Sequence, residues 1–182
     1  MLSETTLAAY RRDGFFVLPD ILTSSEVEAL RQVTDELVEG ARSVTANNEV
    51  YDLEDTHSAA EPRVRRIKTP HLHHSEYARA ARHPKIVEVL RDLWGTVRFD
   101  TGKLNMKSAG YGAPIEWHQD WAFYPHTNED LAAVGIMLDD CEMENGPMMV
   151  VPGSHRGPIY DHHGPDGRFC GAIDPEIGRA HV

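Results

Sequence analysis

Cysteine is nearly missing from this chain. Cys141 and Cys170 are the two cysteines among 182 residues, and neither belongs to a Cys-x-x-Cys pair. A disulfide framework and a thiolate zinc site are thereby excluded, and two free thiols fit a reducing cytoplasm. Positive charge is also short, with 18 Lys and Arg against 29 Asp and Glu and a net charge of -11. Phosphate binding needs a basic surface, so nucleic acid is excluded as the main partner. No apolar run approaches the roughly 18 residues of a membrane span. The N-terminus opens on polar Ser3-Glu4-Thr5-Thr6 instead of a basic stretch followed by an apolar one, so no secretory signal is read. A cytoplasmic protein with no membrane partner is expected. Internal repeats and low-complexity tracts are absent, and the length suits one domain.

Histidine is what the chain has in quantity, 11 residues. His71, His73 and His74 form one group and His162-His163 another; both read first as surface or loop residues. The N-terminal half is helical in pattern. Ser3 to Asp13 predicts a short helix stopped by Gly14, followed by a brief apolar strand, Phe15-Phe16-Val17-Leu18, ended by Pro19. Thr23-Ser24-Ser25-Glu26 fits a capping box, and Val27, Leu30, Thr34, Leu37, Val38 and Ala41 recur behind it at helical spacing. Residues 47–62 read as a polar loop and Arg63 to Lys68 as a basic strand. Residues 70–82 hold the first histidine group and a short helix. Another helix starts at His83-Pro84 and ends at Gly95.

From residue 96 the texture turns to strands: Val97-Phe99, Gly102-Lys107, Ile115-Ala122, Ala132-Leu138 and Met148-Val151, punctuated by glycine and proline. Helices first and short strands afterwards predict an α+β domain, a β-sandwich or barrel with helices on one outer face. In Gly102-Lys107, Leu104 and Met106 share one face, while Lys103, Asn105 and Lys107 share the other. If helices cover the apolar pair, the polar three point into the barrel, where a metal and an anionic co-substrate would justify them. An edge strand whose polar face meets water explains them equally well.

Trp117-His118-Gln119-Asp120-Trp121 carries the strongest chemical signal. In an extended strand His118 and Asp120 project to the same side. An imidazole beside a carboxylate is two-thirds of the 2-His-1-carboxylate triad that holds non-haem Fe(II) with positions left open. Alone, His-x-Asp is a weak motif. Trp121, Phe123 and Tyr124 follow it, as walls of a substrate pocket or as core.

Taken in order, several pieces resemble the phytanoyl-CoA dioxygenase (PhyH) family of Fe(II)- and 2-oxoglutarate-dependent oxygenases. They are Tyr10-Arg11-Arg12-Asp13-Gly14-Phe15-Phe16-Val17, Leu104-Asn105-Met106-Lys107, His118-Gln119-Asp120, Asn145-Gly146-Pro147-Met148 and Val151-Pro152-Gly153-Ser154-His155-Arg156-Gly157. The resemblance implies a double-stranded β-helix (jelly roll, cupin-like) with N-terminal helices on one outer face. It matches His118 and Asp120 to the first two iron ligands. It places Arg66, Lys103, Asn105 and Lys107 beside the 2-oxoglutarate, and Trp121 and Tyr124 toward the substrate. It makes Pro152-Gly153-Ser154-His155 a structural turn, so His155 is not assigned to iron. It implies Fe(II), 2-oxoglutarate as co-substrate, ascorbate as an accessory reductant, and O2 and a small organic molecule as partners. The product pair would be the hydroxylated substrate and succinate, with carbon dioxide released. Related halogenases carry a small residue in place of this carboxylate, so Asp120 favours hydroxylation.

The family pattern also has a distal histidine ligand followed by an arginine for the far carboxylate of 2-oxoglutarate. Neither is found: His162 and His163 follow the Pro-Gly-Ser-His turn too closely, Arg168 comes too soon after them, and Arg179 and His181 stand in the wrong order. Residues 176–182, moreover, can be encoded by a string resembling a common sequencing adapter. The expectation is therefore one incomplete oxygenase domain over residues 1–175, its last barrel strands missing, and a non-native tail over 176–182. Such a fragment would be inactive while its parent is an enzyme. Two other readings stand beside it: a non-catalytic jelly-roll binding module retaining part of the metal site, and a metal-dependent isomerase or hydrolase of cupin type. His71-x-His73 resembles the histidine spacing of cupins, but it precedes a helix.

Overall fold

The computed structural model describes residues 2–173 apart from Ala109, Tyr111, Ala113, Pro125 and Glu129. The expected tail at 176–182, with Arg179 and His181, lies outside the described residues. The chain divides into two compact units. One holds residues 17–113 and 138–147 with the first residues of the chain; the other holds residues 4–16 and 114–137 and continues from residue 148.

In the first unit a three-stranded antiparallel sheet runs in the order β1 (Tyr51–Leu53), β2 (Val64–Lys68), β3 (Lys103–Asn105). A bulge in the β1–β2 pairing pairs Asp52 with Arg66 but Leu53 with Val64. The extra residue, Arg65, turns outward, so Val64 and Ile67 both reach the core face although they stand three positions apart. Val64 is 1% exposed and Ile67 0%; with Ala41 and Tyr51 they form the core, flanked by Leu37, Val38, Leu104 and Met106. Leu104 and Met106 thus lie inward, and Lys103, Asn105 and Lys107 are exposed, as the alternation predicts.

Helix α2 (Ser24–Gly40) supplies Leu37 and Val38 to that core. Its capping box closes as predicted: the Thr23 N–H donates to Glu26 Oε2 at 2.8 Å, and the Glu26 N–H donates to Thr23 Oγ1 at 3.3 Å. The Thr23 N–H, joined by the Thr23 hydroxyl donating to Glu26 Oε2 at 2.7 Å, holds the Glu26 carboxyl below its ordinary value. After β2 come α3 (Pro70–His73), α4 (Ser75–Ala80) and α5 (Pro84–Trp94). Thr34 on α2 donates its hydroxyl proton to the Leu30 carbonyl at 2.7 Å, so Tyr77 on α4 must be the donor in its 2.5 Å bond to the same oxygen.

In the second unit α1 (Glu4–Asp13) ends at Gly14, whose φ is 85°. The last turn of a helix leaves carbonyls without partners. Here a distant segment satisfies them: the Gly153 N–H donates to Asp13 O at 2.8 Å, Arg156 to Arg12 O at 2.7 Å and His155 Nε2 to Arg11 O at 3.3 Å. The Pro-Gly-Ser-His segment is a helix cap, built as a short 3-10 turn over Ser154–Arg156. Its His155 ring lies so close to Gly14 that a Cβ there would stand 2.3 Å from Nδ1.

Several sequence expectations need correction. The α+β class stands: the described residues carry helices and one three-stranded sheet, and no barrel is closed among them. Segments 15–18, 97–99, 132–138 and 148–151 make no strand ladder among the described residues. Alternation selects a face, but a strand also needs a partner, and these segments leave Val134, Met137, Met148 and Val150 exposed. The strand predicted from Ile115 forms no ladder either, and its second half is a 3-10 turn, Asp120–Phe123. Conversely β1 falls inside the stretch read as loop.

Two outcomes are expected. Gly14→Ala should cost about 2–4 kcal/mol, because left-handed strain and overpacking against His155 add. Gly153→Ala, with no heavy atom closer than 3.7 Å to its Cβ, should cost about 1 kcal/mol of strain alone; urea midpoints decide. The second concerns alkali. Burial pushes the Tyr77 phenol above its ordinary value, against a smaller opposing effect of Thr34. The neutral phenol is favoured in the fold, so its contribution is complete below about pH 10 and is lost as pH rises through the raised folded value. Above about pH 10 the wild type should lose stability more steeply than Tyr77→Phe in the same urea titration.

Candidate metal and co-substrate site

His118 and Asp120 are brought together. Gln119 between them is extended (φ -110°, ψ 125°) and Asp120 opens the 3-10 turn, so both side chains leave on one side with His118 Nε2 3.4 Å from Asp120 Oδ1. His118 Nδ1 lies 2.8 Å from the Glu116 carbonyl. A carbonyl oxygen only accepts, so Nδ1 carries a proton and Nε2 is the atom turned toward Asp120. That is the orientation a metal-binding imidazole needs, with the remote nitrogen tied to a backbone carbonyl. Donors about 2.1 Å from a first-row ion stand about 3.0–3.4 Å apart for interligand angles between a right angle and the tetrahedral one, so the pair fits such an ion. Both side chains are partly open, 24% and 35% exposed. Among the described residues no group of three His, Cys, Asp or Glu stands close enough to hold a metal.

Phe123 packs edge-on against the His118 ring, centroids 5.3 Å apart, and against Phe169 at 5.2 Å. Trp121 donates its indole N–H to Asn128 O at 3.1 Å, and Tyr124 lies tilted beside Phe123 at 6.5 Å. Of the residues predicted to face the substrate, Trp121 and Tyr124 are half-buried and Phe123 is exposed.

In the first unit the polar face of the sheet gathers Arg66, Asn105 and Lys103; Lys107 stands two positions past the end of β3 and is exposed. Arg66 Nε donates to Asn105 Oδ1 at 3.1 Å across the β2–β3 pairing, and Lys68 pairs with Lys103 in register. The Lys107 chain lies over Gly146, where a Cβ would stand 2.8 Å from Nζ; the Asn-Gly-Pro motif thus leaves room for a lysine from the strand motif. Two members were missed by sequence reasoning, Lys68 and Asp52. The Asp52 carboxylate, 14% exposed, lies 3.0 Å from Lys68 Nζ and 3.6 Å from Arg66. Three cations, Arg66, Lys68 and Lys103, against one carboxylate make this face locally positive on an acidic chain, suited to a dianion. The signal for Asp52 was three residues long, within polar sequence.

The first histidine group is no cluster. His71 packs edge-on against Phe99 at 4.9 Å, and burial, with smaller effects of Arg82 and His73, lowers its basicity. His74 Nδ1 caps α4 by accepting from the Glu76 N–H at 3.2 Å. A cavity of about 510 Å³ lies where α2, α4 and the start of α5 meet; none of the predicted site residues lines it.

Comparison with known proteins gives the family of the chain. The model of the phytanoyl-CoA dioxygenase (PhyH) family matches residues 10–176, and the chain belongs to that family. It is 38% identical over 166 residues to a probable alpha-ketoglutarate-dependent hypophosphite dioxygenase of Stutzerimonas stutzeri, covering 90% of this chain and 58% of that protein. It is 39% identical over 158 residues to the L-proline trans-4-hydroxylase of Streptomyces griseoviridis, covering 84% and 55%. Over 161 residues it is 29% identical to the ectoine dioxygenase of Sphingopyxis alaskensis, covering 85% and 50%. The chain therefore spans between half and three-fifths of the length of these relatives. No helix among the described residues is long and apolar enough to cross a membrane.

Removing the carboxylate that ties Arg66 and Lys68 together tests the polar face. Asp52→Asn should lower stability by about 1–2 kcal/mol, between the values for exposed and buried ion pairs. Arg66→Met/Asp52→Asn, which removes charge of both signs, should recover part of that loss in the same urea titration.

Proposed function

We propose that the whole protein is an Fe(II)- and 2-oxoglutarate-dependent dioxygenase that hydroxylates a small molecule. The observation that carries this reading is the His118–Asp120 pair, 3.4 Å apart with Nδ1 of the histidine turned to a backbone carbonyl. In this reading His118 Nε2 and Asp120 Oδ1 bind the iron. Arg66, Lys103, Asn105 and Lys107 attract and orient the carboxylates of 2-oxoglutarate, with Lys68 added to them. Trp121 and Tyr124 face the substrate and keep water away from it. Bound iron, given 2-oxoglutarate and O2, supplies an oxidant for an unactivated bond, and the keto acid leaves as succinate and carbon dioxide. Asp120 holds a ligand position that a halide would otherwise occupy, which favours hydroxylation. A jelly-roll frame, one oxygenase domain over residues 1–175 followed by a foreign tail, a cytoplasmic location and ascorbate as accessory reductant belong to the same proposal.

The relatives act on hypophosphite, proline and ectoine by their names. All three are small and polar, and we assign this protein a substrate of that size class. Anaerobic calorimetry with Fe(II) tests the site: His118→Ala and Asp120→Ala should each weaken binding at least about tenfold. Unchanged affinity in both variants overturns the assignment. Iron and 2-oxoglutarate binding by the whole protein without succinate release in air would favour the binding-module reading instead.

A further inference from the structure

We propose that His162 is a positioning residue for the His118–Asp120 pair, acting through the backbone of Gln119; this rests on the metal-site reading above. His162 is 2% exposed. Its Nδ1 lies 2.8 Å from the Tyr160 carbonyl, which only accepts, so Nδ1 carries the proton. Its Nε2 accepts the Gln119 N–H at 2.9 Å. Both ring nitrogens are thereby used, one as donor and one as acceptor. His162 is thus engaged as a neutral ring and is not a free metal ligand in this arrangement.

The bonded amide is the one between the two site residues. The orientation of that peptide sets how the Cα–Cβ bonds of His118 and Asp120 diverge. The Gln119 side chain locks the same segment a second time: its Nε2 donates to Pro158 O at 3.0 Å, and its Oε1 accepts the Tyr160 N–H at 2.8 Å. Gln119 and the 158–162 segment therefore clamp each other, side chain to backbone in both directions. The clamp is anchored from behind. The Cys170 N–H donates to His162 O at 2.9 Å and the Ile173 N–H to Trp117 O at 2.9 Å, while the Phe169 ring stacks on His162 at 6.5 Å. Binding geometry tolerates only about 0.5 Å and 10–20° of error, so supporting groups of this kind decide whether ligands are poised.

The chemistry of the ring predicts which substitutes work. Glutamine can place an oxygen near the Nε2 position and accept from Gln119. Asparagine reaches only the Nδ1 position and can donate to Tyr160 alone. Phenylalanine fills the space and does neither. The first readout needs no metal: amide exchange at Gln119 should quicken at least about tenfold in His162→Phe and His162→Asn and stay near wild type in His162→Gln. The second uses Co(II) as probe, followed by its visible absorption. Affinity should fall about 10–100-fold in His162→Phe and His162→Asn, and His162→Gln should recover most of it.

Equal Co(II) affinity in folded wild type, His162→Gln and His162→Asn overturns the inference. So does slow Gln119 exchange in all of them. Should His162→Phe fail to fold, the glutamine and asparagine pair still decides. Wild-type Co(II) affinity no better than that of His118→Ala is a different failure: the metal reading falls, and the positioning role falls with it.

Discussion

Strand β2 is hydrogen-bonded along both edges, and the bulge within it sets the direction of every side chain it carries. With strict alternation, Val64 and Ile67 could not both face inward. One extra residue makes it possible and places Arg66 and Lys68 on the opposite face, in line with Asp52 on one neighbour and Asn105 and Lys103 on the other. The core and the cationic face are therefore two consequences of one register. A slip of one residue would exchange them, burying arginine and lysine and exposing isoleucine. That cost makes the register specific even in strands of three to five residues.

Local signals were legible in the sequence and non-local ones were not. The capping box at Thr23, the stop at Gly14, the proline start and glycine end of α5 and the alternation around Leu104 each depend on residues a few positions apart, and each stands where it was read. Strand β1 was missed because a three-residue strand amid polar sequence has no periodicity to read; only its pairing with β2 defines it. The strands read after residue 110 failed for the complementary reason. Their apolar alternation is real, but pairing is a property of two segments, and no described segment pairs with them.

The site shows the same division. His118 and Asp120 were expected on one face of a strand and are on one side of the chain, although a turn begins at Asp120. The His-x-Asp spacing survives because only Gln119 must be extended. Asp52 and His162 could not be found by motif. Asp52 matters through cations 14 and 16 positions away, and His162 through an amide 43 positions away. The family motifs, read in sequence as separate marks, meet in space as partners: Gly14 with His155, Lys107 with Gly146.

The cap on α1 has a bearing on biosynthesis. The helix leaves the ribosome first, but the residues that satisfy its last carbonyls follow 144 positions later. At ordinary elongation rates that is an interval on the order of ten seconds. During it the helix end is solvated by water alone, and Gly14, which accommodates the His155 ring in the finished protein, is merely a flexible joint. Chain termination before residue 153 would leave that joint permanently loose.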